Sequence, residues 1–155
     1  WRRSDKDFTL SLWGDRENGK YMSDPVRENM DERYLKCVDE MEDNPEGYYL
    51  IAEWKEGATP VGTCCIFPEN GNYDIGYCIS KNQWKKGLGS EMLEAIIRWV
   101  KAEGGKSVTG EVADDNLASV ALLRKFGFSE DRNTRYKKWG EETYFDAHYY
   151  KLNLD

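Results

Sequence analysis

The apolar positions of the chain change period along its length, and the changes divide it into elements. Over residues 31–41, Tyr34, Leu35, Val38 and Met41 fall on one stripe at helical spacing, and Ser4 or Asp5 caps a shorter helix carrying Phe8, Leu10 and Leu12. From Tyr48 the texture turns to strands. Residues 48–54 and 61–67 flank a connection holding Gly57. Asn70-Gly71 then predicts a two-residue hairpin, because a type I′ turn needs positive φ at both central positions. It leads into residues 73–80, where Tyr73, Ile75, Tyr77 and Ile79 alternate with Asp74, Gly76, Cys78 and Ser80 at the period of a strand.

The helical period returns at Leu88. Leu88, Met92, Ile96 and Val100 recur every fourth residue, with Leu93 and Ile97 beside them, and Gly104-Gly105 marks the stop. Residues 107–112 read as a strand, and Asn116 opens another helix whose inner face is assigned to Ala118, Ala121, Leu122 and Phe126, with Gly127 as its left-handed end. Residues 135–139 and 144–154 return to strand texture. Helices, an antiparallel meander, strand–helix–strand–helix and a closing hairpin predict a mixed α/β sheet in a single domain over residues 1–155.

Composition narrows this picture modestly. At 155 residues and 39% hydrophobic the chain can bury one core without disulfides or a structural metal, and six Trp and ten Tyr suit a core of large rings beside a groove. The net charge of −7 gives no basic face for nucleic acid and favours a cationic ligand, although acidity that serves only solubility would read the same. Cys37, Cys64, Cys65 and Cys78 form no CxxC pair and are expected as reduced thiols in a cytoplasmic protein, with Cys64 and Cys65 on opposite strand faces. A single histidine, His148, leaves no His-rich zinc site, so no metal is expected. No apolar run is long enough to cross a bilayer, and Arg2-Arg3 is followed by polar residues, unlike a secretory leader. The chain opens on Trp1 without a Met, so residues are expected ahead of it.

The chemistry lies in the stretch from Ile79 through Trp84, Lys85, Lys86, Gly87, Leu88, Gly89 and Ser90, a strand feeding a glycine loop and then a long helix. Main-chain amides at a helix start point outward with the positive end of the dipole, and glycines there let an anion approach closely. The alternative is a loop that needs glycine only for its own turn, with two solvated lysines beside it. Neither a Walker loop nor the dinucleotide fingerprint fits, the latter because Met92 stands where a third glycine belongs.

These residues resemble the central motif of the GNAT superfamily of N-acetyltransferases, Gln/Arg-x-x-Gly-x-Gly/Ala between a strand and a helix. Trp84 replaces the usual Gln or Arg, as in the branch that acetylates ribosomal-protein N-termini. A second motif follows in the family's order, Asn116-x-x-Ser119 and then Gly127-Phe128. The resemblance covers roughly residues 48–155. It implies a V-splayed, mostly antiparallel sheet of six to seven strands with about four helices, acetyl-CoA as co-substrate, and an amine acceptor, either a protein N-terminus or a small cationic amine, in a monomer or homodimer.

By that resemblance the main chain of Ile79 binds the pantetheine arm or the thioester carbonyl, the amides from Lys85 to Ser90 hold the pyrophosphate, and Asn116 hydrogen-bonds the arm. Ser119, one turn after Asn116, is expected to donate to the departing sulfur, and Asp74 is expected to be the base, with Glu53 and Glu111 as weaker candidates. The family's frequent general acid, a Tyr, is replaced by Leu123. Two other readings stand beside acetyl transfer: an acyl-CoA-binding module without turnover, and an acidic protein-interaction domain whose glycine loop is structural.

Overall fold

The computed structural model describes residues 1–154. Six strands, β1 (Tyr48–Glu53), β2 (Pro60–Glu69), β3 (Asn72–Ile79), β4 (Ser107–Ala113), β5 (Ser129–Lys137) and β6 (Tyr144–Asn153), form one sheet in the order β1-β2-β3-β4-β6-β5. Four helices, α1 (Lys6–Trp13), α2 (Glu32–Asp39), α3 (Leu88–Ala102) and α4 (Leu117–Lys125), pack against it, so the expected mixed fold is the one observed. Every neighbouring pair is antiparallel except β3 and β4, which run parallel because α3 crosses between them. The β2–β3 hairpin turns at Asn70 (φ 52°) and Gly71 (φ 85°), both left-handed as the Asn-Gly pair predicts.

One face of the sheet carries the larger core. Ile66, Ile75 and Val108 meet Leu93 and Val100 of α3 and Leu123 of α4, and Val100 and Val108 are wholly buried. The opposite face is covered by α1 and α2, where Tyr34, Val38 and Met41 pack with Trp13, Tyr49 and Trp139. Cys64 belongs to the first core and Cys65, the next residue, faces the second, as strand alternation expects.

The parallel pairing is short, and that shapes the site. β3 and β4 pair only through Asn72 with Ser107, Tyr73 with Val108 and Asp74 with Thr109. Beyond that point β3 stays with β2 as far as Ile79 and β4 stays with β6 as far as Ala113. The sheet therefore opens into a V with its vertex at Asp74 and Thr109.

Two expected details differ. In α4 the buried residues are Val120 and Leu123, whereas Ala118 and Ala121 are exposed and Leu122 and Phe126 are half-buried. Of the face assigned to the core from sequence, Ala118 and Leu122 border the opening of the V, and Leu122 and Phe126 pack only against the rim of the core. β5 begins at Ser129, well before residue 135, because an edge strand solvated on both faces shows no alternation to read.

Candidate active site

The V holds a cavity of about 1050 Å³ that passes through the sheet. On the α3 and α4 side its walls are the loop from Gln83 to Gly89 and the α4 start from Asn116 to Ser119; on the α1 and α2 side they are the segment 17–24, Tyr34, Tyr49 and Phe67.

The glycine loop presents unpaired main-chain donors at the start of α3. Lys85 (φ 61°) and Gly87 (φ 80°) are both left-handed, and this reversal turns the chain into α3 with no side chain capping the helix. The first intrahelical bond is donated by Glu91 N to Gly87 O, so the amides of Leu88, Gly89 and Ser90 have no acceptor within the helix. A Cβ built on Gly87 meets nothing within 4 Å, leaving open space in front of those donors. A Cβ on Gly89 comes within 3.3 Å of Leu122, so this glycine also permits close approach of α3 and α4. Lys85 and Trp84 line the cavity. Lys86 Nζ donates to Gln83 Oε1, and Ser90 Oγ accepts from Lys125 Nζ, so both side chains serve the loop and stand off the cavity wall.

Past the vertex, main-chain groups of β3 lose their β4 partners. Ser80 N donates to Val61 O on β2, so by alternation the amide groups of Tyr77 and Ile79 face the gap. Of the Ile79 main chain, expected to bind the pantetheine arm or the thioester carbonyl, the carbonyl oxygen is already engaged by Asn18 Nδ2 at 2.8 Å and Trp84 Nε1 at 2.7 Å, while the amide faces the gap. Trp84 thereby ties the glycine loop back to the strand. Across the gap Asn116 Oδ1 caps α4 by accepting from Ser119 N, which leaves its amide nitrogen for a ligand.

The α1 and α2 side is framed by the segment 15–24, fastened to each neighbouring wall. Asn18 bonds the end of β3, Lys81 pairs with Asp15 and Glu17, and Tyr21 Oη donates to Asp115 O ahead of α4. Lys138, only 4% exposed, donates to Gly19 O and Met22 O and holds the segment from beneath. Burial pushes its ammonium below the usual lysine range. Sequence patterning did not find these groups, because a buried lysine and a loop asparagine leave no periodic signal; their role appears only in three dimensions.

Four carboxylates, Glu17, Asp24, Glu111 and Asp115, line the cavity against two lysines, Lys20 and Lys85. Asp24 accepts from Tyr34 Oη at 2.7 Å, and burial raises its carboxyl above the ordinary value. Asp74 accepts from Thr109 Oγ1 at 2.8 Å and is likewise raised by burial, more than that bond lowers it. It lies at the vertex, behind the cavity wall, while Glu111 on the same sheet face lines the cavity itself and accepts from Thr134 Oγ1. Glu53 lies on β1, outside this cavity. Burial also pushes the Cys65 and Cys78 thiols up to about 12, which removes both as thiolate nucleophiles.

The fold that sets a helix start beside a split parallel pair is shared with known proteins. The acetyltransferase (GNAT) domain family matches over residues 1–129. The chain belongs to this family. It is 25% identical over 154 residues to the uncharacterized N-acetyltransferase p20 of Bacillus licheniformis, covering 96% of this chain and 86% of that one. A ribosomal-protein-alanine N-acetyltransferase from Brucella melitensis superposes with a TM-score of 0.72 at 20% identity, over 97% of this chain and 95% of the other. A spermidine N-acetyltransferase from Vibrio cholerae, in complex with CoA and spermine, gives 0.80 at 16% identity, over 99% and 92%. The family makes this GNAT domain an acetyl-CoA-dependent N-acetyltransferase. Among the described residues no cluster of metal-ligating side chains occurs, and no helix is long and apolar enough to cross a membrane.

Proposed function

We propose that the protein transfers acetyl directly from acetyl-CoA to a primary amine that enters from the α1 and α2 side as an ammonium ion. The observation that carries this is the charge of that half of the cavity, whose lining holds Glu17, Asp24, Glu111 and Asp115 against Lys20, with Lys81 behind it paired to Asp15 and Glu17 and Lys138 buried beneath. At the other end, the amides of Leu88, Gly89 and Ser90 with Lys85 hold the pyrophosphate, and Asn116 with the open main chain of β3 holds the pantetheine arm. Burial raises the Cys65 and Cys78 thiols and so removes both as covalent carriers, and in this reading the amine attacks the thioester carbon itself.

The amine must first lose a proton. Glu111 opens on the cavity and takes it; Asp74, one step behind at the vertex, receives it through Glu111 or an intervening water and, with its raised affinity for protons, acts as the deeper base. The acceptor is a protein N-terminus or a small cationic amine, a reading in keeping with the ribosomal-protein alanine and the spermidine named for the Brucella and Vibrio enzymes of similar fold. Incubation with acetyl-CoA and peptides with free α-amines, polyamines or aminoglycosides, read as thiol release, is expected to give turnover on at least one class. Thermal stabilisation by CoA with thiol release at background throughout would refute turnover and leave an acyl-CoA-binding module.

A further inference from the structure

The Tyr77 hydroxyl is the one buried side-chain polar atom without a hydrogen-bond partner among the described residues. An unpaired buried hydroxyl costs folding energy, so its persistence points to a partner supplied from outside. Tyr77 lines the cavity on the gap side of β3, where its own main chain faces the opening. Across from it stands Ser119, whose hydroxyl lies near enough to offset part of the upward push of burial on the phenol. Both side chains line the cavity between the α3 start and the carboxylates beyond the vertex, on the route of a ligand whose phosphates sit at the one and whose acyl end reaches the other.

We propose that the Tyr77 hydroxyl donates its proton to the coenzyme sulfur as the thioester breaks, with Ser119 as its neighbour and not as the primary donor. The proposal rests on acetyl transfer as set out above. The amine nitrogen forms its bond to the carbonyl carbon and gives up a proton to Glu111; the C–S bond breaks, its electron pair goes to sulfur, and the phenol proton follows. The resulting tyrosinate takes back a proton from water, so Tyr77 ends unchanged. The phenol suits the task because it is fully protonated at neutral pH and the leaving thiolate, shielded from water, demands a proton.

Calorimetry with CoA and desulfo-CoA tests the contact without knowledge of the acceptor. Wild type is expected to bind CoA about 3- to 10-fold more tightly than desulfo-CoA, the size of one hydrogen bond, and Tyr77→Phe to lose that preference. In turnover Tyr77→Phe should lower kcat by about 100-fold with KM for acetyl-CoA within about twofold. Its melting temperature should hold or rise, since only an unpaired hydroxyl is removed. Preserved CoA preference in Tyr77→Phe, or kcat within about threefold of wild type, overturns the proposal. So does a preference erased by Ser119→Ala and kept by Tyr77→Phe, because the donor would then be the serine. Wild type that binds neither compound overturns the coenzyme site as well, a failure distinct from the others.

Discussion

Lys138 offers a sharp test of how the acceptor side is held. Its ammonium, 4% exposed, donates to Gly19 O at 2.8 Å and Met22 O at 2.9 Å and so fixes the segment that frames the cavity. Lys138→Met keeps most of the stem and removes both donors. Two carbonyls lose their partner at about 1–3 kcal/mol each, a gross cost of about 2–6 kcal/mol. Relief from burying a charge, which already lowers the lysine's affinity for its proton, returns part of this, and the net loss is about 2–3 kcal/mol. For a chain of 155 residues that corresponds to a fall in Tm of about 5–10 °C in a thermal shift assay. The amine KM should rise with it, while CoA affinity stays within about threefold because the glycine loop lies on the other side of the sheet. A fall in Tm below about 2 °C, or CoA affinity lost in parallel with amine affinity, would refute the assignment of this lysine to the acceptor half.

Two further outcomes follow from local geometry. Gly87→Val places a β-branched residue at φ 80°, so the apo protein should lose more than about 1 kcal/mol, and the side chain enters the open space before the α3 amides; CoA should no longer raise Tm, and a preserved CoA shift would count against the cradle. Burial lifts the Asp74 carboxyl above its ordinary 3.8, so its favourable contribution to folding is complete below that pH and is lost as pH rises through the raised value. Asp74→Asn should therefore melt higher than wild type at pH 7, with the difference gone below pH 3.8, and equal melting at both pH values would show that the carboxyl is not buried as described.

Much of this arrangement was legible residue by residue, and the illegible parts share a cause. Asn70-Gly71 announced its turn because the signal is wholly local, and the stripe from Leu88 to Val100 announced α3 because one face of a long helix meets one core. The glycine loop was legible because bare amides need glycine in sequence as well as in space. The inner face of α4 was misjudged because Ala118 and Leu122 border a cavity, and a cavity wall is as apolar as a core. Tyr77 alternates correctly with its neighbours, yet alternation gives only the face and cannot show that β4 departs after Thr109. Asp74 was placed on the right face, but its depth behind Glu111 depends on where the V closes.

The vertex explains how a chain of net charge −7 can hold a polyanionic coenzyme. Long-range repulsion between like charges is screened over roughly 8 Å at physiological salt, so what matters at the α3 start is the local field of its unpaired amides and Lys85. The carboxylates lie beyond the sheet, in the half proposed for the amine. Splitting β3 from β4 after three paired positions therefore gives one cavity whose two ends differ in charge, the unpaired amides with Lys85 at one and the carboxylates at the other. The thioester, uncharged and reactive, belongs between them, where the coenzyme's anionic end is behind it and the acceptor's cation ahead. In the proposed mechanism, proton removal and thiolate departure then fall to groups on opposite sides of the sheet, Glu111 on the acidic face and Tyr77 on the helical one, so neither group has to serve both.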